Sequence, residues 1–333
     1  MFNWIRTFWK ESTGLPAPPL TEKNLPDQTG KVFIVTGANT GVGYEVSSIL
    51  YSHNAKVYVA ARSESKAQAA IDAIKALHPK STGSLHYLHL NLSDLGTIKS
   101  SVNEFLSKED KLHWLNNNAG VMIPPKEQVG AQGLNLTYQT NILGPFLFTK
   151  LLLPVLQRTA DSEPKGTVRV SWAGSLAVVL QSPPNGHKWK IAKDGSETLD
   201  DTLRNENIYG VSKAANYYLA NEFGRRYNAQ GVMHNSYNPG NLQSDLQRHL
   251  PGFVQWIMNK TVLYPAIYGA YTEIYSGLSR DNPALTSEQG VYLVPWGRKY
   301  GTRADLEAEI AKGPNGEAAK LWDWCDRVTK DFA

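Results

Sequence analysis

Between Val32 and Gly43 the chain reads V-F-I-V-T-G-A-N-T-G-V-G, an apolar run that breaks into glycines and reopens as a helical pattern at Tyr44-Glu45-Val46. A strand, a glycine turn and a helix in that order build a cradle for a dinucleotide. Gly37 permits the tight turn, and Gly41 lets backbone N–H groups approach a pyrophosphate. Gly43 lets the helix pack close to its strand and aim its N-terminus at the phosphates. Asn39, Thr40 and Val42 complete the loop. Three glycines alone are a weak signal, but Asn117-Asn118-Ala119-Gly120 and Tyr209-x-x-x-Lys213 follow downstream in the order such a site requires.

Short β-branched or large apolar runs predict strands at 31–36, 56–60, 85–91, 112–116, 167–171, 232–237 and 290–294. Helical patterns lie between them at 44–52, 65–77, 95–108, 134–156, 209–227 and 265–276. Alternating strands and helices predict an α/β fold: a Rossmann-type, doubly wound parallel sheet of about seven strands in three α/β/α layers, with the ligand crevice beyond the strands' carboxyl ends. Residues 30–333 are expected to form one catalytic domain, with a polar insertion at 181–207 and a flap at 245–264. The flap, with Phe253, Trp256, Ile257 and Met258, suits either a cover over an apolar substrate or a helix packed on a second subunit.

Lys plus Arg number 34 against 30 Asp plus Glu, and the excess is spread along the chain, which argues against a nucleic-acid partner. The single cysteine, Cys325, excludes an intrachain disulfide and a Cys-rich metal site, so no metal is expected and a reducing, cytoplasmic setting fits. No run of about 18 apolar residues occurs. Residues 1–29 divide into an aromatic segment and a proline-rich connector. Phe2, Trp4, Ile5, Phe8 and Trp9 form a stripe on a short predicted helix; it reads as a lid over the domain, with contact to a membrane surface as the alternative.

These ordered motifs resemble the short-chain dehydrogenase/reductase family, and its retinol-dehydrogenase-like branch in particular, from about Gly30 to Val294. The resemblance assigns Tyr209, Lys213, Ser175 and Asn141 to the reacting centre. On the residues themselves, Tyr209 and Lys213 lie four apart on one helix face, where an ammonium would draw the phenol down from its usual pKa of about 10. In the family Lys213 also holds the nicotinamide ribose. The usual serine doublet is replaced by V-S-W-A-G-S-L-A, and alignment on the trailing Leu-Ala selects Ser175 over Ser171. Asn141 matches the asparagine that holds a water for proton relay. Pro239 and Gly240 match the turn beneath the nicotinamide, with Leu242 and Ser244 following, and Asn118-Ala119-Gly120 matches the turn over the adenine ribose. Asn91 stands where the family places an aspartate for the adenine amino group, and its amide oxygen is expected to accept that bond.

After the second strand, where NAD-binding members carry an acid, the chain reads V-A-A-R-S. Arg62 suits a 2′-phosphate, with Lys66 as helper, so NADP(H) is the expected cofactor. The expected function is carbonyl–alcohol interconversion on a moderately large apolar small molecule. Two alternatives stay open: a C=C reductase of the same family, and a catalytically silent NADP-binding sensor or scaffold. The resemblance also extends to dehydrogenases of filamentous fungi, some in secondary metabolism, and to relatives that dimerise through the helices bearing Asn141 and Tyr209.

Overall fold

The computed structural model describes residues 3–227, 231–243 and 263–333, with side chains from Thr7 onward. Helix α1 (Asn3–Ser12) precedes β1 (Val32–Thr36), α2 (Gly41–Ser52), β2 (Lys56–Ala61), α3 (Glu64–Leu77), β3 (Ser84–His89), α4 (Leu95–Leu106) and β4 (Trp114–Asn117). Then follow α5 (Gly144–Ser162), β5 (Arg169–Ala173), α6 (Ala177–Leu180), β6 (Trp189–Ile191), β7 (Glu197–Leu199), α7 (Asn205–Tyr227) and β8 (Met233–Tyr237). The C-terminal part holds α8 (Ala266–Leu278), β9 (Val291–Val294), β10 (Arg298–Lys299), α9 (Ala304–Ala311) and α10 (Glu317–Thr329).

The central sheet has the order β10-β9-β8-β5-β4-β1-β2-β3. Its pairs are parallel except β9–β10, so the predicted doubly wound sheet is present with one strand beyond the expected seven. That extra strand is two residues long and folds back antiparallel on β9, too short to leave a hydrophobic period in the sequence. The chain winds outward from β1 to β3 and returns to β4 on the other side of β1. This reversal opens the crevice at the carboxyl ends of β1 and β4.

Both faces of the sheet are apolar, as a sheet covered by helices requires. Phe33, Val35, Val57, Val59 and Trp114 face the layer that contains Val46 of α2 and Ile274 of α8. Ile34, Tyr58, Leu115, Val170 and Trp172 face the layer that contains Phe105, Phe146, Phe223 and Trp322. Cys325 of α10 is fully buried in that second layer.

The helix predicted at 134–156 is broken. A short turn at Leu136–Tyr138 passes into a wider π-helical turn at Gln139–Leu143 before α5 begins. The 181–207 insertion carries the hairpin β6–β7 and then the first turn of α7. The expected flap lies outside the described residues except for Leu263 and Tyr264. Among the described residues, no helix is long and apolar enough to cross a membrane.

Candidate active site

At the end of β1 the backbone of Gly37 turns left-handed (φ 68°), and that of Gly41 does so again (φ 58°) at the mouth of α2. No side chain caps the N-terminus of α2, which leaves its first N–H groups open to an anion. Gly43 does not line the cleft; it packs. A Cβ there would stand 2.7 Å from Asn118 Nδ2 and 2.8 Å from the Gly37 carbonyl oxygen, so only glycine lets α2 seat this closely. The Asn118-Ala119 turn is sewn to β1, Asn118 Nδ2 donating to the Thr36 carbonyl at 2.8 Å and the Ala119 N–H to Thr36 Oγ1 at 2.9 Å.

Together these segments wall a cavity of about 410 Å³ that includes Gly37, Asn39, Thr40, Gly41, Val42, Arg62, Asn91, Asn118, Ala119 and Gly120. Arg62 is exposed at its rim, and its guanidinium has no hydrogen-bond or ion-pair partner among the described residues. Uncapped helix N–H groups at one end and an unengaged guanidinium at the other are the donor set that a phosphorylated dinucleotide needs.

Two of the expected residues are placed differently from the others. Lys66 does not line the cavity: it lies in the first turn of α3, exposed, where its backbone N–H is capped by Ser63 Oγ at 3.5 Å. Asn91 does line it, but its amide oxygen is already engaged by the Ser93 N–H at 3.3 Å and the Ser93 hydroxyl at 2.7 Å. That local turn leaves the amide N–H₂, a donor, for a ligand, where an acceptor was anticipated. Ser244 lies outside the described residues.

A second cavity, of about 440 Å³, shares Val42, Asn118, Gly120 and Val121 with the first and holds Ser175, Tyr209, Lys213, Pro239, Gly240 and Leu242. Ser175, just past β5, lines this cavity together with Tyr209. Ser171 points elsewhere. It is fully buried within β5 and accepts hydrogen bonds from Trp114 Nε1 at 2.9 Å and Ser276 Oγ at 2.8 Å.

Lys213 lies with its ammonium 5.6 Å from the centre of the Tyr209 ring and donates to the Ala173 carbonyl at 3.0 Å. Burial pushes the Tyr209 phenol up to about 12, the Ser175 hydroxyl opposing it, and brings the Lys213 ammonium down to about 8 against the attraction of Glu273. The expectation of a phenol lowered by lysine is therefore corrected. The ammonium lies over the ring and gives one N–H to a backbone carbonyl, and desolvation dominates.

Asn141 sits in the π-helical turn, where its side chain clamps Val121 by both groups. Oδ1 accepts from the Val121 N–H at 2.8 Å, and Nδ2 donates to the Val121 carbonyl at 2.9 Å and to Ser212 Oγ at 3.1 Å. The amide thus binds the Asn118–Val121 loop to the helix of Tyr209 and Lys213.

The remaining wall of the second cavity is mostly apolar, with Phe8, Ile123, Leu176, Leu180 and Leu263, and also carries the amides of Gln181 and Asn241. Phe8 faces in, whereas its neighbour Trp9 is 55% exposed. The legible signals for these residues were the aromatic stripe near the N-terminus for Phe8 and the expected flap for Leu263.

Residues 31–206 match the family model described as short chain dehydrogenase. The chain belongs to the short-chain dehydrogenase family. A short-chain dehydrogenase/reductase of Phomopsis amygdali is 44% identical over 99% of this chain and 98% of its own. Another, from Neocamarosporium betae, is 41% identical over 95% and 91%. Among solved structures, the Pseudomonas aeruginosa RhlG/NADP active-site complex shares the fold with a TM-score of 0.62 at 21% identity, over 81% of this chain and 95% of that one. Family membership makes the chain an oxidoreductase of small molecules with an NAD(P) cofactor.

Proposed function

We propose that this short-chain dehydrogenase is an NADP(H)-dependent reductase that converts the carbonyl of a moderately large apolar substrate into an alcohol. The observation that carries the reading is the convergence of Ser175 and Tyr209 on one wall of an apolar cavity that opens into the glycine-loop cleft. A nicotinamide bound along that cleft supplies the hydride. The first-turn N–H groups of α2 hold the pyrophosphate, and Arg62 takes the 2′-phosphate by charge-assisted hydrogen bonds. The Pseudomonas neighbour is itself an NADP complex, which agrees with that choice.

Ser175 Oγ and the Tyr209 hydroxyl orient the carbonyl oxygen and polarise it. Tyr209, whose pKa is pushed up to about 12, holds its proton at neutral pH and so is poised to give it to the developing alkoxide. Lys213 fixes the floor of the site through the Ala173 carbonyl and offers its remaining N–H groups to the nicotinamide ribose. Asn141 keeps the Asn118–Val121 loop in register with both. Incubation with NADPH and a panel of apolar aldehydes, ketones and enones, followed by mass analysis, is expected to yield alcohols. Saturated C=C bonds, or tight NADPH binding with no turnover across the panel, would overturn the reading.

A further inference from the structure

The N-terminal helix is attached to the site by buried polar contacts, which a loosely draped lid has no reason to carry. Glu11 is only 2% exposed, and its Oε2 accepts a hydrogen bond from Asn238 Nδ2 at 2.8 Å. The same Asn238 uses its Oδ1 to accept from the Gly240 N–H at 3.0 Å, so one amide joins α1 to the Pro239–Gly240 turn. One residue on, Ser12, 1% exposed, accepts from Asn241 Nδ2 at 2.8 Å. On its outer side α1 is held by Arg298, whose Nη2 donates to the Lys10 carbonyl at 2.9 Å, and by the Lys10 ammonium on the Tyr300 hydroxyl at 3.2 Å. Burying a carboxyl group costs free energy unless the group is hydrogen-bonded, and here the partner is part of the site.

One turn before Glu11, Phe8 lines the cavity that Ser175 and Tyr209 line, together with Leu176, Leu180 of α6, Ile123 and Leu263. Apart from the serine, the tyrosine and the lysine, the polar side chains on that wall are the amides of Asn118 and Asn241, engaged with Thr36 and Ser12, and of Gln181, which leaves a mostly apolar wall for the body of a substrate. Recognition then rests on apolar contact, and the phenyl ring is the part of the wall supplied by α1.

We propose that α1 is an integral wall of the substrate site: Phe8 is a specificity-determining residue that limits the size of the substrate's apolar body, and Glu11 and Ser12 are positioning residues that fix Phe8 against the Asn238–Asn241 turn. The proposal rests on the carbonyl-reductase reading of the same cavity, and its test separates the two. With the full chain loaded with NADPH, a graded series of alkyl aryl ketones is titrated by calorimetry and, in parallel, assayed for reduction. Phe8→Ala is expected to shift the preference toward the bulkier ketones by about tenfold, and Phe8→Trp to shift it toward the smaller ones. Glu11→Ala raises KM for the long ketones while kcat stays within about twofold, and Glu11→Gln, which keeps an oxygen for Asn238, restores it. Unchanged size preference in both Phe8 variants, with melting curves that show them folded, would overturn the proposal. Ketones bound but not reduced by the parent chain defeat the reductase reading alone, because the binding series still decides the role of Phe8. Ketones neither bound nor reduced defeat both.

Discussion

The cofactor cleft and the substrate cavity meet at Val42, Asn118, Gly120 and Val121, yet they are built by different means. The cleft consists of short contiguous stretches, each hanging from the end of a strand and tied back to it, as Asn118 is to Thr36. The cavity is assembled from Phe8, Ile123, Leu180, Leu242 and Leu263, residues of distant segments that the sheet alone does not bring together. Binding the cofactor is thus a property of the sheet edge. Choosing the substrate is a property of what has been laid over it, which can change without disturbing the strands.

Tyr209→Phe should separate the halves most sharply. Loss of the proton donor is expected to lower turnover by about 10²- to 10⁴-fold, while NADPH affinity, measured by fluorescence titration, stays near that of the parent. A large drop in both would mean that the two cavities form a single unit. Next in size is Arg62→Ala. Removing hydrogen bonds to a charged phosphate costs about 1.5–3 kcal/mol, roughly ten- to a hundredfold in affinity, and the loss should fall on NADPH while NADH is spared. Equal weakening of both dinucleotides would deny Arg62 its phosphate.

The smallest effect, taken per pH unit, concerns the insertion that precedes α7. His187 is fully enclosed beside Trp189 and Tyr218, with neither ring nitrogen hydrogen-bonded, and burial holds its pKa down at about 3. The unfolded chain takes up this proton near pH 6.5 and the folded one does not until about 3. The site therefore costs the native state about 1.4 kcal/mol per pH unit as the pH falls through that window. His187→Phe should flatten the pH dependence of urea unfolding by that slope. Parallel slopes would show that the insertion opens before the sheet does and lies outside its cooperative core.

What could be read beforehand follows the same division. Gly37, Gly41 and Gly43 announce themselves because each answers a local constraint, a reversed turn or a close approach, that any chain with this cradle must meet. Seven strand positions were legible from their apolar runs, and Ser175 was separable from Ser171 by alignment of the residues that follow. The direction of the Tyr209 shift was not legible. It depends on where the Lys213 ammonium lies relative to the phenol, and on how deeply both are enclosed. The local bonding of Asn91 was hidden for a similar reason, since residue type cannot say that Ser93, two places on, will donate to its oxygen. Phe8 and Glu11 act through residues more than 150 positions away, at Ser175 and Asn238, and sequence proximity carries no trace of that.

Cys325 has a practical corollary. Its sulfur is enclosed within the second helical layer, and burial pushes the thiol far from ionising. Alkylating reagents and mixed disulfides that attack a thiolate will find none on the native fold. A cysteine introduced at an exposed position near the entrance would then be the only thiol open to a maleimide dye or spin label, so motions of α1 could be followed without first deleting a native side chain.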